Sequence, residues 1–251
     1  MTLHHRIEGA GDAPVLLMGS SLGTTLEMWD DQLPLASAFR IVRFDHRGHG
    51  RSPAPAGPYE LADLAGDVLA LMDRVGVQHA SYCGLSLGGM IGMWLAANQP
   101  DRIDRLVLIC TAAYMPPASA WQERAAAVLE AGSTEPIAGG VVERWLTPGF
   151  AAQHPQVQAR LRAMLLGCAP DGYAWCCGAI GRMDLRASLS AIRAPTLVIS
   201  GADDLATPPE KQQQIAAAVT GARHEVLAPA AHIAAVEQAD AVNHLIREHL
   251  S

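Results

Sequence analysis

The chain reads as an α/β protein, a mostly parallel, doubly wound sheet with a helical segment inserted ahead of its last strands. Three observations carry that expectation. Short, continuously apolar runs recur along the 251 residues and alternate with helical patterns. A Gly-Leu-Ser-Leu-Gly pentapeptide at 84–88 sits between one such run and a helical stretch. From about Thr111 to Ala187 the alternation stops, and the chain turns Ala-rich and helical in character. Strands joined through helices pair in parallel and are covered on both faces, so they read as unbroken apolar runs.

Taken in order, Pro14–Gly19 (Pro-Val-Leu-Leu-Met-Gly) is the first buried strand, and a helix is expected around Trp29–Ala38. Arg40–Asp45 is the second strand, followed by a polar, Gly-punctuated turn, His46-Arg47-Gly48-His49-Gly50-Arg51-Ser52-Pro53. Between Tyr59 and Val75, apolar residues at Leu61, Leu64, Val68, Leu71, Met72 and Val75 follow the spacing of an amphipathic helix. The run His79–Cys83 leads into the pentapeptide and a helix over Leu87–Asn98, and Arg105–Cys110 is a further strand. Strands resume at Pro195–Ser200 and His224–Leu227, and a terminal helix is expected from about Ile233 to His249. The organisation expected is one domain over 1–251 with a helical cap, 111–187, inserted in it.

Composition narrows the function. Half the residues are hydrophobic, 17% are charged and the net charge is −7, which suits a well-buried globular core and gives no basic footprint for nucleic acid. The start, Met1-Thr2-Leu3-His4-His5-Arg6, lacks the apolar region of a signal peptide, and no apolar run is long enough to cross a membrane. The five cysteines (Cys83, Cys110, Cys168, Cys176 and Cys177) have no framework spacing and no C-x-x-C geometry. A cytoplasmic protein with reduced thiols and no metal site is expected. Self-association is left open.

Ser86, at the centre of the pentapeptide, is the candidate nucleophile. A serine hydroxyl needs a base and a strained setting to react, and a sharp strand-to-helix turn supplies the second. Gly84 and Gly88 suit such a turn because neighbouring segments pass too close for a Cβ. Functional groups in doubly wound sheets collect in loops at the carboxyl ends of strands, which sorts the ten histidines. His232, in the loop after the last strand, is the expected base. His46 and His49, on a strand-end turn, are its rivals, with hydrogen bonding inside the turn as their plainer role. His224 lies at the wrong end of its strand. For the orienting acid, the strand ending at Ser200 runs into Gly201-Ala202-Asp203-Asp204. Either aspartate is able to orient an imidazole; the Gly-x-x-Asp spacing favours Asp204, leaving Asp203 to bind turn N–H groups. The backbone N–H of Leu87 and that of Leu22, in the loop Gly19-Ser20-Ser21-Leu22-Gly23-Thr24-Thr25, are the expected oxyanion donors, each worth about 3–4 kcal/mol in such sites.

These pieces resemble the α/β-hydrolase superfamily over nearly the whole chain, including its Ser-Asp-His order. The Asp45-His46-Arg47-Gly48-His49-Gly50-Arg51-Ser52 turn matches that superfamily's D-x-R-G-x-G-x-S loop, usually structural. One departure is Ser20-Ser21 where many members have His-Gly. With Met28-Trp29-Asp30, the cap stretch Glu143-Arg144-Trp145-Leu146-Thr147-Pro148-Gly149-Phe150 and Ala202-Asp203-Asp204-Leu205-Ala206-Thr207-Pro208-Pro209, that loop resembles 3-oxoadipate enol-lactone hydrolases of bacterial aromatic degradation. The resemblance implies a small-molecule lactone substrate, an acyl-enzyme on Ser86 and no cofactor. The free carboxylate of such a lactone calls for a cationic partner. Arg144 is the candidate, with Arg124, Arg160, Arg162 and Arg182 as alternatives, and Trp145 is expected to wall the pocket. Rival readings are a carboxylesterase, a carbon–carbon bond hydrolase or a cofactor-free perhydrolase on the same triad, and a noncatalytic binding module.

Overall fold

Four strands of the computed structural model, which describes residues 1–251, are buried along nearly their whole length and form the centre of one sheet. The strands are β1 (His5–Glu8), β2 (Val15–Gly19), β3 (Arg40–Phe44), β4 (Ala80–Leu85), β5 (Ile103–Ile109), β6 (Thr196–Gly201) and β7 (Arg223–Leu227). Their order is β1-β3-β2-β4-β5-β6-β7, and every pair is parallel except β1 with β3. The apolar runs read from the sequence all become strands, with ends shifted by a residue or two. The strand β1 is the one that sequence patterning missed. Its four residues hold a single aliphatic, Ile7, itself 41% exposed, because an edge strand needs no continuous apolar run.

The sheet is flanked by α1 (Leu61–Arg74) and α2 (Leu87–Asn98) early in the chain. Five helices separate β5 from β6: α3 (Ala118–Ala131), α4 (Glu135–Val142), α5 (Pro148–Gln153), α6 (Pro155–Leu166) and α7 (Pro170–Arg182). The last part of the chain adds α8 (Pro209–Ala218), α9 (Ala234–Glu237) and α10 (Ala239–Leu250). The helix expected around Trp29–Ala38 is instead a run of 3₁₀ turns over Leu26–Ser37. Pro34 lies inside it and has no N–H for an α-helical bond. The single terminal helix expected from Ile233 is broken at Gln238, whose φ and ψ are −124° and 46°. No helix is long and apolar enough to cross a membrane.

What matters for function is where the chain reverses its winding. From β2 it passes to β3 on one side, and from β3 it returns to β4 on the other, so β2 and β4 are neighbours. A crevice opens at the carboxyl ends of the strands at such a switch point. Gly19, the last residue of β2, pairs with Gly84, and the loop 20–25 and the turn at Ser86 therefore leave the sheet side by side.

Candidate active site

Ser86 stands between β4 and α2 with φ 54° and ψ −112°, a conformation that side chains rarely adopt and that costs about 1–3 kcal/mol. Surrounding contacts hold it there. Its N–H donates to Ile109 O at 3.0 Å, and its carbonyl accepts from Thr111 Oγ1 at 2.7 Å and Met90 N at 3.0 Å. The glycines on either side are needed for space. A Cβ on Gly88 would lie 2.0 Å from Gly19 O, and one on Gly84 would lie 2.3 Å from the Gly88 carbonyl.

The imidazole of His232 is buried beside Asp204. Its Nδ1 lies 3.0 and 3.1 Å from the two carboxylate oxygens, so that nitrogen carries a proton and donates to them. Asp204 is fully engaged. It accepts from Ala206 N at 2.8 Å, Thr207 N at 2.9 Å and Thr207 Oγ1 at 2.7 Å. Burial pushes its carboxyl up, but the His232 interaction and the Thr207 bonds outweigh burial and hold it below the ordinary carboxylate range. Asp203 does something other than the turn-capping expected of it. Its N–H donates to Ala230 O at 2.8 Å and its carboxylate accepts from Ala230 N at 3.3 Å, while the turn N–H groups go to Asp204. Thr207, whose hydroxyl also lies 3.3 Å from His232 Nδ1, was not singled out from the sequence. Its place three residues after Asp204, the spacing of a side-chain-capped turn, was the available signal.

Ser86 and His232 line one cavity of about 220 Å³. No hydrogen bond joins Ser86 Oγ to the ring in this geometry, and such bonds commonly tighten only around a substrate. The flanking loop is pinned from behind. Ser20 O accepts from Gly88 N at 3.0 Å and from His46 Nε2 at 2.9 Å. Gly23 N donates to His49 Nε2 at 2.9 Å. Both histidines are buried. Burial, with His49 nearby, pushes His46 down to about 3, and burial lowers His49. Neutral rings in these tautomers hold the loop, and the rivals of His232 are occupied with that task. Asp45 completes the support by accepting from Leu26 N at 2.7 Å, Arg51 N at 3.0 Å and His4 Nδ1 at 2.7 Å. With Gly88 N and Gly23 N spent, the Leu22 and Leu87 N–H groups are left without a protein acceptor.

The opposite wall comes from 115–180. Arg144 and Trp145 both line the cavity, as do Arg124, Trp121 and Tyr173. Of the five arginines the sequence left open, three are engaged elsewhere: Arg160 near Asp30 and Asp31, Arg162 on Glu135, and Arg182 on Glu60 and Tyr59 O. Arg124 rests over the Trp121 ring, 4.8 Å from its centre, and neither it nor Arg144 has a carboxylate partner. Burial, and the nearby Arg124 charge, lower the Arg144 pKa from the ordinary guanidinium value. The hydroxyl of Tyr173 is buried with no hydrogen-bond partner. Tyr173 was not foreseen, since an aromatic within a helical stretch reads as packing.

Known proteins share this arrangement of the chain. The family model described as alpha/beta hydrolase fold matches residues 14–141. The 3-oxoadipate enol-lactonase 2 of Acinetobacter baylyi is 39% identical over 247 residues, 98% of this chain and 92% of that protein. The crystal structure of the enol-lactonase from Burkholderia xenovorans LB400 superposes with a TM-score of 0.96 at 42% identity, covering 99% of this chain and 96% of that one. A hydrolase from Pseudomonas aeruginosa PA01 does so with a TM-score of 0.96 at 45% identity, covering 99% and 94%.

Proposed function

Since the chain belongs to the alpha/beta hydrolase fold family, we propose that it hydrolyses 3-oxoadipate enol-lactone to 3-oxoadipate through a Ser86–His232–Asp204 triad, as a cytoplasmic enzyme of bacterial aromatic degradation. The observation that carries this reading is the pairing, in one cavity, of a strained serine beside a carboxylate-bound histidine with two guanidiniums that have no protein anion.

Ser86 Oγ attacks the lactone carbonyl while His232 Nε2 takes its proton. Asp204 keeps Nδ1 protonated and stabilises the imidazolium. The tetrahedral oxyanion is received by the N–H groups of Leu22 and Leu87. Collapse breaks the ring C–O bond, His232 returns the proton to the enol oxygen, and an acyl-enzyme remains. The enol tautomerises to a ketone, which makes ring opening hard to reverse. His232 then deprotonates water, which attacks the ester carbon and releases Ser86 and the new carboxylate. The mechanism uses no metal or organic cofactor.

In this reading the helices of 111–187 act as a cap that sets the substrate. Arg144 holds the lactone's free carboxylate, Arg124 and Tyr173 share the load, and Trp145 walls the pocket. A carboxylesterase, a carbon–carbon bond hydrolase or a perhydrolase would use the same triad with a different wall, and a binding module would use none of it. Loss of the enol lactone's ultraviolet absorbance, followed with wild type beside Ser86→Ala, tests the proposal. The expected result is rapid loss with wild type and none above background with the variant; equal rates would reject it. A panel adding aryl esters and peroxide-dependent halogenation is expected to rank the lactone first.

A further inference from the structure

A carboxylate outside the triad joins the substrate wall to the loop that carries the base. Glu237 ends the short helix α9, immediately before the break at Gln238. Its Oε1 accepts from both Thr147 N at 2.8 Å and Thr147 Oγ1 at 2.7 Å. Its Oε2 accepts from Ala231 N at 2.5 Å. Thr147 lies two residues beyond Trp145, and Ala231 directly precedes His232. On the other side of His232, Ile233 N donates to Trp145 O at 2.8 Å. The backbone of the base is therefore held on both flanks by bonds to the segment 145–147 that walls the cavity, one of them through Glu237. The break at Gln238 supports this arrangement, because its side-chain amide donates to Pro229 O at 2.6 Å in the same loop.

We infer that Glu237 is a positioning residue for His232, a bridge that couples the seat of the substrate in 144–147 to the placement of the base. A carboxylate is required because both of its oxygens accept and three donors converge on it. Glutamine has one acceptor oxygen, and its NH₂ would face either the Ala231 N–H or the Thr147 pair, so one arm of the bridge is lost at little change in size. Acting through His232, the bridge affects turnover of any ester, while the walls that bind substrate keep their residues.

This inference rests on the Ser86–His232 reading, and the test separates the two. Steady-state kinetics on the enol lactone and on a neutral aryl ester are compared for wild type, Ser86→Ala, Glu237→Gln, Thr147→Ala, Thr147→Ser and the double variant Glu237→Gln/Thr147→Ala. Expected for Glu237→Gln is a fall in kcat of about tenfold on both substrates, with KM for the aryl ester within twofold of wild type. Thr147→Ala is expected to lose less, Thr147→Ser to recover most of that loss, and the double variant to be no worse than Glu237→Gln alone, because residues of one bridge do not act additively. Wild-type kcat in Glu237→Gln, or losses that multiply in the double variant, would overturn the bridge while leaving the serine mechanism standing. Should Glu237→Gln fail to fold, the threonine pair decides: equal kcat in Thr147→Ala and Thr147→Ser rejects the coupling. Full activity in Ser86→Ala would instead reject the underlying reading.

Discussion

The loops at the end of the sheet and the helices between β5 and β6 face each other across one cavity, yet they treat their ionisable side chains in opposite ways. On the sheet side, Asp204 accepts four hydrogen bonds when the imidazole is counted, and Asp45 and the rings of His46 and His49 are likewise bonded. On the helical side, Arg124, Arg144 and the Tyr173 hydroxyl face the same space with no anion or acceptor. Leaving the buried Tyr173 hydroxyl unpaired costs roughly 1–3 kcal/mol, a cost that a polar ligand in the cavity would offset. In the proposed reading, the bonded carboxylates and rings of the sheet side are the machinery, and the unpaired groups of the helical side are the seat that a substrate completes.

The comparison is broken most severely by disturbing the satisfied side. Asp204→Asn is expected to lower kcat by about 10⁴-fold, because the amide no longer fixes the Nδ1–H tautomer. Crystal-quality folding with wild-type kcat would show that the carboxylate does not orient the base. Thr207→Val removes one bond to Asp204 while leaving the backbone bonds, and a loss of roughly tenfold in kcat with unchanged KM is expected, from about 1.5 kcal/mol, the low end for one charge-assisted bond. The smallest kinetic effect belongs to Arg162→Met. That arginine pairs with an exposed Glu135 away from the cavity, so kcat/KM within twofold of wild type and stability within about 1 kcal/mol are expected.

A pH titration of stability sharpens the same contrast. The Asp204 carboxyl lies below its ordinary value in the folded protein. A depressed folded pKa adds stability that is present above the unfolded value near 4 and is lost as pH falls through the folded pKa. Denaturant unfolding of wild type is therefore expected to weaken as pH falls below about 4, and Asp204→Asn to lack that part of the slope. Superimposable slopes would show that the His232 and Thr207 contacts contribute nothing to folding.

How much was legible in the sequence follows from which interactions are local. Strands buried on both faces, and the strained turn at Ser86 between two spaced glycines, are written in contiguous residues and were read directly. His232 and Asp204 were likewise chosen from contiguous residues, by place after the last strand and by spacing, and the structure brings their side chains into contact. The edge strand at His5–Glu8 has no core face to mark it. The 3₁₀ run follows from Pro34, a local signal that the expected helix around Trp29–Ala38 left unused, while the break at Gln238 goes with a side-chain bond to Pro229 in the preceding loop. Arg144 was the candidate from its cap stretch, but setting aside Arg160, Arg162 and Arg182 among its alternatives required knowing that they find acids elsewhere, which no local pattern records. Glu237 and Tyr173 were invisible for the same reason.

The claim that the helical side is a seat for anionic charge is tested most directly by a selectivity ratio. The quantity is kcat/KM for the carboxylated enol lactone divided by that for an uncharged enol lactone of the same ring, in wild type and in Arg144→Met. Hydrogen bonds to charged groups are worth about 1.5–3 kcal/mol, so the ratio is expected to fall by roughly 10- to 150-fold in the variant, with the uncharged lactone turned over nearly as before. An unchanged ratio, or equal losses on both lactones, would contradict it.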